Sequence, residues 1–207
     1  MLQGIRNRFL TSTVVLISIL GFGFGGKAQT ATSSAGYREK VQYNGRWWLA
    51  ANPGERGGLL SGISDCMTWE ARKRGYEATA EQLADPITKF YETQPRSREL
   101  SVLMVWQRVN PVAKRKPSSE DKWADTWTNA HWYMNNDWWF QLAETEQRGY
   151  VEGYLWCVRT QVDGPHERYS RLSDFYWSKI DAFVKSHPKL GDQALAKTLS
   201  RFKDPGQ

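Results

Sequence analysis

Two stretches of this chain carry one glycine and cysteine ladder, and that repetition constrains the fold more than any other feature. "GGLLSGISDC" spans residues 57–66 and "RGYVEGYLWC" spans 148–157. Gly58, Gly62 and Cys66 fall on Gly149, Gly153 and Cys157, each ninety-one positions later. A spacing of i, i+4, i+8 lines one face of an α-helix. Glycine costs a helix about 1 kcal/mol per interior position relative to alanine, so four of them need a compensating gain. Close approach of two helix backbones supplies one.

The repetition reaches well beyond the ladder. "NGRWWLAANPGERGGLLSGISDC" (44–66) aligns without a gap on "NNDWWFQLAETEQRGYVEGYLWC" (135–157), with seven identities in 23 positions. These include Trp47 with Trp138, Trp48 with Trp139, and Glu55 with Glu146. After a two-residue shift, "ITKFYETQP" (87–95) aligns on "IDAFVKSHP" (180–188). A terminal apolar segment follows in each copy, 99–106 and 192–202. The pattern reads as a tandem duplication of a unit of roughly 60–70 residues.

Helix signals dominate both copies. Asn52 and Pro53 suit the cap and first position of the first ladder helix, while Glu144 and Glu146 favour the start of the second. Asp85 and Pro86 would open the following helix, and Ser170 or Ser173 its counterpart. "LSVLMVW" (100–106) is the main stretch that could pass for a strand. The expected fold is all-α, the two copies related by a pseudo-two-fold axis. Equivalent small-residue faces would then meet, as the identical faces of a homodimer do. Cys66 would approach Cys157, and a disulfide there would close a loop of about 90 residues. Two buried thiols are the alternative.

The first residues read as a secretory signal. Arg6 and Arg8 precede the apolar or small run 9–26, and Gly26 and Ala28 fit a cleavage after Ala28. The compact core Val14–Leu20 is shorter than the roughly 20 residues needed to span a bilayer. Removing residues 1–28 takes away three cations and lowers the formal charge from +6 to +3. That weakens any nucleic-acid-binding reading, since phosphate recognition rests on clustered positive charge. Export also favours a disulfide over free thiols for the two cysteines. The expected organisation is a signal peptide (1–28), a flexible tail (29–40), a first helical repeat (41–109) and a basic linker (110–119). An extra tryptophan-rich helix plus the second repeat would fill 120–207.

Candidate chemistry is sparse. Five of the eleven tryptophans lie between Trp123 and Trp139. Trp47, Trp48, Trp138 and Trp139 recur in both copies and are expected in the core. Trp123, Trp127 and Trp132 have no counterparts in the first copy and are the candidates for a ligand surface, where a sugar ring would stack. His131, His166 and His187 fit no metal-binding spacing, so neither metal nor cofactor is expected. No nucleophile elbow, phosphate loop or dinucleotide fingerprint is present. Glu55, Glu146, Asp65 and Glu152 are the carboxylates to consider, since a glycosidase needs two of them across its substrate.

The run Gly149-Tyr150-Val151-Glu152-Gly153 resembles the Gly-Tyr-Ile-x-Gly stretch of the Rap/Tai-type immunity proteins. That resemblance implies a periplasmic helical protein, acting as a dimer or its fused equivalent, that neutralises cell-wall hydrolases delivered by type VI secretion. No contact residue can be carried over from so short a match. The expected function is therefore a noncatalytic, exported binding protein with a protein partner in the cell envelope. Membrane contact would be limited to the signal peptide during export, and the chain would be a monomer that imitates a dimer internally. The alternative is a glycan-binding protein or hydrolase that uses Trp123, Trp127 and Trp132 with nearby carboxylates.

Overall fold

The computed structural model describes residues 43–71, 78–110, 134–163 and 167–204, and among these it is α-helical, with two isolated β-bridges and no strand. The expected signal peptide, the tail, all of the linker beyond Asn110, and nearly all of the extra helix lie outside the described residues.

Each ladder sits in a long central helix. Helix α1 (Gly45–Ala50) is followed by α2 (Pro53–Trp69), α3 (Ala80–Thr93), a 3-10 turn at Pro95–Ser97 and α4 (Val102–Val109). Helix α5 (Asn136–Trp139) is followed by α6 (Glu144–Cys157), α7 (Ser173–Ser186), a 3-10 turn at Pro188–Leu190 and α8 (Leu195–Ser200). A wider π-type turn, Val158–Val162, prolongs α6.

Local chemistry explains where these helices begin. The Asn52 side chain accepts from the Glu55 N–H at 2.9 Å, and the Glu55 carboxylate accepts from the Asn52 N–H at 3.0 Å. This reciprocal capping box satisfies two donors that a helix start leaves without partners. Glu146 makes the equivalent bond to the Ala143 N–H at 2.8 Å, but alanine has no side-chain acceptor to return it. Asn44 and Asn135 cap α1 and α5, and each also forms a β-bridge, to Ser101 and Ala194 respectively.

One expectation about a helix boundary is corrected. Helix α3 starts six residues before Pro86, at a Thr79–Gln82 capping box, so Pro86 lies inside it and Asp85 caps nothing. The strand-like "LSVLMVW" mostly becomes α4, capped by Ser101. Short apolar runs carry no period long enough to separate a strand from a buried helix. Ser173 is the first residue of α7, but Leu172 occupies the cap position and provides no side-chain bond.

Helices α2 and α6 make the most extensive contact in the fold. They run parallel and side by side. A β-carbon at Gly58 would overlap the Glu146 carbonyl oxygen, and one at Gly62 would overlap that of Tyr150. A β-carbon at Gly149 would stand 2.6 Å from the Glu55 carbonyl oxygen, and one at Gly153 would overlap that of Leu59. Only glycine permits this approach, which is the gain that offsets four weak helix formers. Leu59, Leu60, Ile63 and Met67 of α2, with Tyr150, Val151, Tyr154 and Leu155 of α6, are buried around the seam. Helix α3 packs on α2 and touches α1 and α4, α7 packs on α6 and touches α5 and α8, and α8 also reaches α2.

At the far end of the seam Cys66 and Cys157 are joined in a disulfide, both fully buried, with Cα atoms 6.1 Å apart. The bond follows from the register: helices in parallel contact at Gly58 and Gly149 meet again two turns later at the cysteines.

Candidate functional site

The carboxylates that the sequence offers for chemistry are engaged with the protein's own groups. Glu55 and Glu146 hold the first turns of α2 and α6. Asp65 is buried and accepts from the Tyr150 hydroxyl across the seam at 2.6 Å. Burial pushes its carboxyl up to about 7, against the opposing pull of the Tyr150 hydrogen bond. Glu152 accepts from the Tyr43 hydroxyl at 2.8 Å, and burial, reinforced by this carboxylate, raises the Tyr43 phenol.

Beyond the disulfide lies a polar cluster. The Glu70 carboxylate accepts from the Tyr154 hydroxyl at 3.0 Å and pairs with Arg168 at 3.0 Å and Lys203 at 2.8 Å. Arg168 also pairs with Asp163 at 3.0 Å. The acidic side chains are almost dry, 6% exposed at Glu70 and 2% at Asp163, so such pairs must be well bonded to offset desolvation. Tyr169 is buried edge-on to Tyr154 and Tyr176, at centroid distances of 6.2 and 5.4 Å. Together these residues tie the segments on both sides of α7 to the ends of α2 and α6.

The described tryptophans divide by position. Trp48 and Trp139 are fully buried, and their indole N–H groups reach Thr88 at 2.9 Å and Asp181 at 3.3 Å. Trp47 and Trp138 are half-buried, and Trp47 packs against the core from its margin. In a short helix two adjacent side chains point about 100° apart, so one turns inward and its neighbour lies at the margin. Trp123, Trp127 and Trp132 lie outside the described residues, as do His131 and His166. His187 is exposed and stacked on Phe183 at 4.2 Å. Among the described residues no group of three or more His, Cys, Asp or Glu side chains could hold a metal ion.

The start of α7 shows a different character, one the sequence reading passed over. Leu172 is 66% exposed and Phe175 is 40% exposed. The Lys179 ammonium stands 5.5 Å over the Phe175 ring. Beside them Arg148 of α6 stacks on Trp177 at 4.5 Å, is bonded to Glu144 at 2.7 Å, and pairs with Asp174. Trp177 in turn donates to Gln147 at 3.1 Å. Large apolar residues at a helix start, where a polar cap is usual, were the available signal for this patch.

No family model, curated protein or solved structure matches this chain.

Proposed function

We propose that this chain is an exported, noncatalytic binding protein, built from two copies of one helical unit fused into an internal pseudo-dimer, whose partner is a protein of the cell envelope. The observation that carries the noncatalytic reading is the engagement of Glu55, Glu146, Asp65 and Glu152. Each is bonded to a helix end or to a tyrosine, and two are further drawn into the α2–α6 region by hydroxyl donors. Commitment of all four to the protein's own groups is the support for the noncatalytic reading over glycoside hydrolysis by a carboxylate pair.

The duplication reading rests on reciprocal contacts. Gly58 faces Glu146 and Tyr150, while Gly149, ninety-one residues on, faces Glu55 and Leu59. The bridges Asn44–Ser101 and Asn135–Ala194 repeat with the ninety-one and ninety-three residue offsets of the aligned sequence. Export is supported by the buried disulfide, which belongs in an oxidising compartment. No helix among the described residues is long and apolar enough to cross a membrane.

The partner class follows the resemblance at Gly149–Gly153 and is a cell-wall hydrolase. The test uses the mature chain from Gln29 onward, prepared oxidised. It is expected to leave purified peptidoglycan intact, to retain a hydrolase from its own organism's envelope, and to slow peptidoglycan clearing by that enzyme. Solubilisation of peptidoglycan by the chain alone would overturn the proposal.

A further inference from the structure

Helices α3 and α7 occupy the same register ninety-three residues apart, each fourteen residues long and each followed by a proline-initiated 3-10 turn. They differ at the cap. In α3 the Thr79 hydroxyl accepts from the Gln82 N–H at 3.3 Å, and the Gln82 side chain accepts from the Thr79 N–H at 3.1 Å. The corresponding positions in α7 are Leu172 and Phe175, which make no such bonds and expose large apolar surface. Helix α7 therefore forgoes a stabilising device and gains two side chains that are unfavourable in water. Phe175 meets Tyr176 edge-on at 5.1 Å and Lys179 at 5.5 Å, but 40% of it and 66% of Leu172 stay in water, so the isolated fold gains little from the exchange. Both changes are explained if the two side chains are covered in a complex.

We propose that Leu172 and Phe175 form the apolar centre of the protein-docking surface, and that the partner offers an apolar pocket edged by carboxylates. The inference rests on the binding-protein reading above and names its contact face. The charge around the patch selects the partner. Arg148 is committed to Glu144 and Asp174, and those two anions are committed to it. Arg171 and Lys179, both exposed, have no carboxylate in salt-bridge reach among the described residues. The Arg148–Glu144–Asp174 group carries a net charge of −1, one cation against two anions, and Arg171 with Lys179 adds two positive charges, so the edge keeps a net excess of one positive charge. The Arg148–Trp177 stack beside it is held in place by Glu144, Asp174 and Gln147, so an approaching surface meets ordered side chains and little rotamer entropy is lost on contact. Buried aromatic and aliphatic anchors within a polar rim are the usual distribution of binding energy at protein interfaces.

The decisive variant is the double change Leu172→Thr/Phe175→Gln, which installs in α7 the capping pair that α3 already uses. Folding is expected to survive it, with a Tm equal to the parent's or about 2–4 °C higher. A random-peptide display library would be selected on the oxidised mature chain and on this variant. The expected result is a set of peptides combining Leu, Phe or Trp with Asp or Glu, whose binding to the variant falls at least tenfold. Arg171→Glu/Lys179→Glu should weaken the same peptides and make their affinity less sensitive to salt.

A fall in Tm of several degrees in the Thr/Gln variant would overturn the proposal, because the two residues would then be needed by the fold. Peptides that bind parent and variant equally, or a library that yields none, would also overturn it. Binding of the parent to vesicles of anionic phospholipid, or self-association lost in the variant, would assign the patch to a membrane or to a second copy and end the proposal. Retention of a hydrolase by parent and variant alike would refute this face while leaving the binding-protein reading intact. Failure of both to retain one would count against that reading itself.

Discussion

Gly57 and Gly58 are neighbours in α2 with opposite surroundings, and they separate the two roles a helical glycine can have. A β-carbon at Gly57 would meet nothing within 4 Å, whereas one at Gly58 would collide with backbone of α6. Gly57→Ala is expected to raise stability by about 0.5–1 kcal/mol, the ordinary gain in helix propensity. Gly58→Ala should lower it by about 3 kcal/mol or more, since backbone cannot yield as a flexible side chain does. Denaturant midpoints of the two variants give the comparison, and equal signs would refute the close-packed seam. Asp65 supplies a second residue-scale test. Its carboxyl titrates near 7 in the fold and near 3.8 when unfolded, so the native state holds the proton more tightly. Stability should therefore fall as pH rises from about 4 to 7 and level off above that. Asp65→Asn removes the effect, and its advantage over the parent should grow across that window by on the order of 4 kcal/mol. Parallel pH profiles for parent and variant would exclude a strongly raised carboxyl at this position.

Among the elements, α3 departs most from what its sequence predicts. Pro86 suits a first helical position, yet the Thr79–Gln82 box starts the helix earlier and leaves proline exposed in its interior. Proline there removes a backbone donor and presses on the preceding turn. Tertiary contacts outweigh this, because Leu83, Ile87 and Tyr91 lie on one face and are buried on both sides of it. Lys179 stands at the corresponding position of α7, which shows a straight-chain residue accommodated in the same register. Pro86→Ala is expected to stabilise the protein by about 1–3 kcal/mol in thermal or denaturant unfolding. Loss of stability would mean that α3 depends on a proline-induced bend. Helix α4 makes a related point: its apolar run was compatible with a strand by sequence, and the Ser101 cap and the packing of α3 against it make it a helix.

At the level of the whole molecule, the disulfide locks the one contact that joins the two halves most closely. Cys66→Ser/Cys157→Ser removes a link spanning 91 positions and should cost about 4–5 kcal/mol in the chain-entropy picture. Urea unfolding of parent and variant measures this directly, and the parent under reducing conditions should approach the variant. A variant as stable as the oxidised parent would show that packing at the glycine seam is sufficient by itself. Because both sulfurs are fully buried, reduction should require opening of α2 from α6 and should be slow in the absence of denaturant.

The amino-acid order alone determined the helical class, the register of α2 on α6 and the identity of the two linked cysteines. Periodic small residues and an even cysteine pair act through local geometry that any observer of the sequence can count. The capping role of Asn52 was legible for the same reason: a cap bonds within three residues of itself. Tertiary structure alone decided which tryptophan of each pair turns inward, where α3 begins, and that Asp65 meets Tyr150 while Glu70 meets Arg168 and Lys203. It also decided that Leu172 and Phe175 remain outside. Those outcomes depend on what arrives from distant parts of the chain, and neither burial nor exposure is a property of a residue until its neighbours are in place.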